Sequence, residues 1–178
     1  MEYSKIDKLG VSPSLLGFGC MRFPKNEDGT IDEKEAERMI DHAMEQGVTY
    51  IDTAYPYHDG ESEPFVGKVL KKYNRKDFYL ATKLPMFQID SLEQAKEIFE
   101  NQMKRLDVDY VDFYLLHALN KDTWKKVVAL GILPYCEELK KQGRIKNLGF
   151  SFHDDYEVFE EILNYRDWDF CQIQLNYR

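Results

Sequence analysis

The chain has 178 residues, 43% of them hydrophobic, with 32 Asp and Glu against 24 Lys and Arg and a net charge of −8. That is one domain of ordinary size with enough apolar material for a core, so disorder of the whole chain is excluded. Net negative charge argues against a nucleic-acid partner, no apolar run approaches a membrane span, and three scattered cysteines (Cys20, Cys136, Cys171) suit neither a disulfide scaffold nor a Cys-built metal site. The first residues show no charged segment leading into an apolar run, which makes a reducing cytoplasm the expected location.

In chain order, short apolar runs alternate with amphipathic stretches. The first run is 14–18, followed by a predicted helix with Ala36, Met39, Ile40, Ala43 and Met44 on one face. Asp32 and Glu35 have capping-box spacing at its start, and Gly47 sits where a left-handed terminal residue belongs. Run 48–51 precedes a helix carrying Phe65, Val66, Val69, Leu70 and Tyr73. Run 78–81 precedes a helix with Ser91 as N-cap and Leu92, Ala95, Ile98, Phe99, Met103 and Leu106 on its face. Run 111–116 leads to an interrupted helix: 124–130, a break at Gly131, a restart at Pro134 and an end at Gly143. Run 148–150 precedes a helix with Val158, Phe159, Ile162 and Leu163 on one side, and 171–175 is the last run.

The runs are rich in β-branched and aromatic residues and lack polar alternation, as strands covered on both faces do. A helix between every pair of strands makes the sheet parallel. An open doubly wound sheet would show a glycine-rich turn after its first strand. Gly17-Phe18-Gly19 is followed by Cys20-Met21-Arg22, so the third glycine of that fingerprint is missing, and no P-loop occurs. A (β/α) barrel is the better expectation, although such barrels have eight strands and ~250 residues and about six strands are legible here.

In parallel α/β folds function gathers at the C-terminal ends of strands. Reading those ends gives Asp52, Lys83, His117 and Ser151, with Tyr57 in the loop beyond Asp52. Singly, Asp52 could cap a loop, Lys83 could snorkel to water, His117 could be a hydrogen-bonded structural histidine, and Tyr57 is one of 12 tyrosines. As a set they have a coherent chemistry. A tyrosine is a poor acid near neutrality unless an ammonium stabilises its phenolate. A carboxylate keeps that lysine charged and oriented, and a histidine can hydrogen-bond a carbonyl. Such a site protonates a carbonyl oxygen while a hydride from a reduced nicotinamide attacks the carbon. The same residues also allow a Schiff base on Lys83, as in an aldolase-type lyase. No H-x-H or H-E-x-x-H spacing occurs, and His58, His117 and His153 are too dispersed to suggest a metal site.

The strings Ile51-Asp52-Thr53-Ala54-Tyr55-Pro56-Tyr57, Gly60-Glu61-Ser62-Glu63, Ala81-Thr82-Lys83 and Val111-Asp112-Phe113-Tyr114-Leu115-Leu116-His117 together resemble the aldo-keto reductase family. Residues 139–151, ending Asn147-Leu148-Gly149-Phe150-Ser151, resemble its fifth-strand region, and Leu9-Gly10 its opening hairpin turn. The resemblance implies an α/β fold of (β/α)8 TIM-barrel type, here truncated to about six strands, over residues 1–178. It implies NAD(P)H-dependent reduction of aldehydes or ketones, with NADPH or NADH as cofactor and a small carbonyl compound as substrate. The catalytic tetrad would be Asp52, Tyr57, Lys83 and His117, with Tyr57 as general acid and His117 orienting the carbonyl. Ser151 and Gln172 would grip the nicotinamide carboxamide, while Phe152 replaces the asparagine usual after the serine. Phe152-His153 resembles a subgroup whose longer members carry a C-terminal ferredoxin-like cysteine cluster, which this sequence lacks. The family's remaining cofactor contacts lie on strands seven and eight. A chain without them is expected to bind NADPH weakly or not at all, to be inactive alone, and to be either oligomeric through open barrel edges or marginally stable; the competing non-enzyme reading is a silent ligand- or partner-binding fragment.

Overall fold

The computed structural model describes residues 1–175 and divides into two compact units. One holds Met1–Thr82 with Gln102–Asp109; the other holds Lys83–Asn101 and the chain from Tyr110 on.

The first unit opens with a hairpin in which Tyr3 faces Ser14 and Ile6 faces Val11, turned by Gly10 at φ +66°. Ser14 then exchanges two bonds with Thr49: each backbone N–H donates to the other's hydroxyl at 2.9 Å. Strand β1 (Gly17–Gly19) pairs in parallel with β2 (Tyr50–Asp52), and β2 with the start of β3 (Tyr79–Leu84), placing Asp52 opposite Ala81. Helix α1 (Glu33–Glu45) starts where the Asp32 carboxylate accepts from the Glu35 N–H at 3.1 Å; Gly47, at φ +86°, follows its end. It buries Ala36 and Ile40.

Helix α2 (Ser62–Leu70) is buried along most of its length and lies close against the last turn of α3 (Leu92–Leu106). A Cβ at Gly67 would stand 2.6 Å from the Leu106 carbonyl oxygen and 2.7 Å from that of Arg105, an approach that only glycine permits. The expected face of α2 included Tyr73, which lies beyond the helix in the following turn.

The second unit contains β4 (Val111–Leu119), α4 (Lys121–Ala129), α5 (Ile132–Lys141), β5 (Ile145–Phe152), α6 (Tyr156–Tyr165) and β6 (Phe170–Ile173). Strand β5 pairs in parallel with β4 and with β6. Its core packs Phe99, Tyr114, Leu115, Leu148, Phe150, Ile162 and Trp168, with edge-to-face contacts such as Phe99–Tyr114 at 5.3 Å and Phe150–Trp168 at 4.9 Å.

The parallel α/β class expected from the sequence is the class observed. Several boundaries differ. Strands β3, β4 and β5 run past their expected ends, so Lys83, His117 and Ser151 lie inside strands rather than after them. Strand β1 begins at Gly17, and Leu15 and Leu16 are exposed. Helix α4 starts earlier than expected because Asn120 caps it reciprocally with Thr123. Helix α5 restarts at Ile132, two residues before Pro134; a first turn has no intrahelical acceptors for its N–H groups, so proline is accommodated there. Leu163 is exposed although Ile162 beside it is buried. Among the described residues no helix is long and apolar enough to cross a membrane.

Candidate active site

In the first unit, Asp52 ends β2 with its side chain buried. The loop it enters is stitched down by polar contacts. The Cys20 N–H donates to the Asp52 carbonyl at 2.8 Å and the Thr53 N–H to the Ala81 carbonyl at 2.9 Å. The Thr53 and Ser62 hydroxyls lie 2.9 Å apart, and Ser62 Oγ donates to the Cys20 carbonyl at 3.1 Å.

Tyr57 opens a 3-10 turn (Tyr57–Gly60), its N–H donating to the Ala54 carbonyl at 3.1 Å. The three residues after it all have positive φ: His58 at 52°, Asp59 at 56° and Gly60 at 94°. For two non-glycine residues this is a strained path that the surroundings must hold in place. One hold is visible. His58 Nε2 accepts the Phe23 N–H at 3.1 Å, and the two rings stack with centroids 5.5 Å apart. An accepting Nε2 is an unprotonated one, and burial, followed by the charge of Lys25, keeps His58 below the usual histidine range.

In the second unit, Lys83 is 1% exposed, so it does not snorkel to water. Its charge acts on His117. Burial foremost, then Lys83 and His153, push the His117 imidazole down to about 3, so the ring is neutral at physiological pH. A neutral imidazole can donate one hydrogen bond to a carbonyl oxygen without being an acid. Phe87 packs beside it, ring centroids 5.6 Å apart.

The next residue, Ala118, has φ +52° and marks a break in register between Leu116 and Leu119. Its N–H is taken by Ser151 Oγ at 2.7 Å. This bulge re-aims the strand directly after His117. Ser151 in turn is the register partner of Gln172, so their side chains leave the sheet on the same face.

The pattern of the aldo/keto reductase family matches residues 15–178. The chain belongs to the aldo/keto reductase family. It is 38% identical over 125 residues to aldo-keto reductase YhdN of Bacillus subtilis, an alignment covering 66% of this chain and 38% of that protein. The structure superposes on the holo form of aldo-keto reductase AKR11C1 from Bacillus halodurans with a TM-score of 0.80 and 32% identity, covering 98% of this chain and 58% of that one. An aldo-keto reductase from Klebsiella pneumoniae solved in complex with NADPH shares the fold at a TM-score of 0.71 and 24% identity, covering 94% of this chain and 56% of that one. The chain spans about two fifths of the length of curated relatives that it matches.

Membership gives the strand-end residues a frame. Asp52 and Tyr57 belong to the first unit; Lys83, His117, Ser151 and Gln172 belong to the second. Ser151 and Gln172 are the residues expected to meet a nicotinamide carboxamide. Ser151 Oγ accepts from the Ala118 N–H and keeps a proton able to donate, and Gln172 is exposed on the same face with an amide able both to donate and to accept. Such a donor and acceptor set could hold a carboxamide, which presents one acceptor and one donor group.

Sequence reasoning missed three features: the strained turn after Tyr57, the Ala118 bulge and the burial of Glu63. Tyr-His-Asp-Gly carries the Asp-Gly signal of a turn, but nothing in it marks two successive non-glycine residues at positive φ. Nothing in Leu-His-Ala-Leu marks a left-handed alanine, because its cause is the Ser151 hydroxyl on another strand.

Proposed function

We propose that this chain carries the carbonyl-reducing chemistry of the family, with Asp52, Tyr57, Lys83 and His117 as its catalytic set and NADPH or NADH as cofactor. The observation that carries the reading is the half-buried His117, its imidazole pushed down by desolvation and by Lys83, a lysine that is itself buried inside β3. A neutral imidazole can hydrogen-bond a substrate carbonyl oxygen while the acid is supplied elsewhere.

In this reading Tyr57 supplies it: its phenol gives a proton to the carbonyl oxygen, and the roles that family membership implies for Lys83 and Asp52 are the ammonium that favours a phenolate and the carboxylate that favours that ammonium. When bound, the reduced nicotinamide supplies the hydride. Ser151 and Gln172 hold its carboxamide and so set which face of the ring meets the substrate. The substrate class is small aldehydes and ketones. The Phe152-His153 pair supports a finer placement, near members whose longer forms carry a ferredoxin-like segment; iron and sulfide analysis of a longer form would test it.

Oxidation of NADPH and NADH against a panel of aldehydes and ketones tests the reading. In a full-length or complemented form, Tyr57→Phe keeps the ring's packing and deletes the proton donor, so turnover falls by at least ~10²-fold while cofactor affinity is retained. Near-normal turnover in that variant removes Tyr57 from its role. Borohydride trapping of a carbonyl compound on Lys83 would instead support the Schiff-base alternative.

A further inference from the structure

Glu63 is fully buried near the start of α2, where an apolar residue would cost far less. Its Oε1 accepts from Thr82 Oγ1 at 2.6 Å and from Gln102 Nε2 at 2.9 Å, and Gln102 Nε2 also lies 3.1 Å from Thr82 Oγ1. Its Oε2 faces Arg105 Nη1 at 3.7 Å. Burial raises the Glu63 carboxyl above its usual range, with Thr82, Gln102 and Arg105 opposing.

What this buried group holds is Arg105. The guanidinium lies over the Tyr55 ring, 4.2 Å from its centroid, and Nη1 reaches the Tyr55 carbonyl at 3.5 Å. The same Nη1 would stand 3.4 Å from a Cβ at Gly60, so Arg105 also covers the far end of the turn. Residues 55 and 60 flank Tyr57 on either side, and the path between them includes the two strained residues His58 and Asp59. Gly67 completes the arrangement by letting α2 approach the Arg105 and Leu106 carbonyls, so Glu63 and Arg105 meet across two closely packed helices.

We propose that Arg105, anchored by the buried Glu63, is a positioning residue that clamps the 55–60 turn and so aims the Tyr57 phenol. The functional part of this inference rests on the reading of Tyr57 as proton donor; the clamp itself does not. A buried charge such as Glu63 is a poor source of stability, and small misplacements of a reacting group cost orders of magnitude in rate.

The test uses the whole chain with a single 3-fluorotyrosine at position 57, read by ¹⁹F NMR. Arg105→Met keeps the side-chain stem and removes the guanidinium, but leaves Glu63 buried opposite nothing charged. The double variant Glu63→Gln with Arg105→Met removes that orphaned charge as well. Arg105→Met shifts or broadens the Tyr57 resonance, lowers kcat for carbonyl reduction at least ~10-fold and leaves KM near its parental value. The double variant recovers the thermal midpoint yet keeps the displaced resonance and the low kcat, and Arg105→Lys restores both in part.

A parental Tyr57 resonance in Arg105→Met, or a resonance that recovers together with stability in the double variant, overturns the clamp and leaves the network a purely structural one. The resonance reads the clamp without any turnover. If it moves as expected while Tyr57→Phe remains active, the proton-donor reading fails and the clamp stands.

Discussion

Replacing His117 with glutamine should flatten the acid side of the stability profile. In the unfolded chain a histidine titrates near 6.5; in the folded chain His117 is held down to about 3. The folded state therefore resists a proton that the unfolded state accepts. The stability present above pH 6.5 is lost progressively as pH falls through that value, and the loss saturates only near the folded pKa. The full span of ~3.5 units corresponds to a ceiling of about 5 kcal/mol, reduced by the partial exposure of the ring.

The part accessible to experiment does not depend on that ceiling. Between pH 7.5 and pH 5.5 the unfolded histidine goes from about one-tenth to about nine-tenths protonated while the folded one stays neutral, which amounts to roughly 1.4 kcal/mol. Urea unfolding of the parent and of His117→Gln at the two pH values isolates this contribution, because His58 and the other histidines are common to both proteins. The parent should lose about 1.4 kcal/mol more than the variant on acidification. Equal losses, or an NMR-monitored His117 titrating near 6.5, would refute the burial argument.

Lys83→Met removes one of the charges that hold His117 neutral, so the His117 titration should move up toward its ordinary value while burial keeps it below; an unmoved titration would show that the Lys83 charge does not reach the ring. Gly67→Ala places a methyl group 2.6 Å from a backbone carbonyl oxygen and should cost about 1–3 kcal/mol in urea unfolding, the usual range for overpacking. A neutral result would mean that α2 and α3 separate freely. Strand β6 has β5 as its paired neighbour and leaves Cys171, Gln172 and Ile173 exposed, while Leu15, Leu16 and Leu175 are exposed as well. Concentration-dependent self-association should appear in sedimentation velocity, and a monomer at all concentrations would count against it.

Composition and period were enough to read the parallel α/β class, because strands covered on both faces leave apolar runs and helices leave a 3.6-residue stripe. Caps at Asp32 and Ser91 were equally legible, since a cap acts within a few residues of its own position. The chemistry of Asp52, Tyr57, Lys83 and His117 could be listed from strand ends and motif strings alone. Their environments could not. The burial of Lys83, the neutrality of His117, the left-handed turns at His58 and Ala118 and the role of Glu63 each depend on groups far along the chain: Ser151 for Ala118, Phe23 for His58, Thr82, Gln102 and Arg105 for Glu63. A local window carries propensity and period. Desolvation and backbone strain are set by whichever atoms the folded chain brings alongside, and those exist only once the tertiary structure has formed.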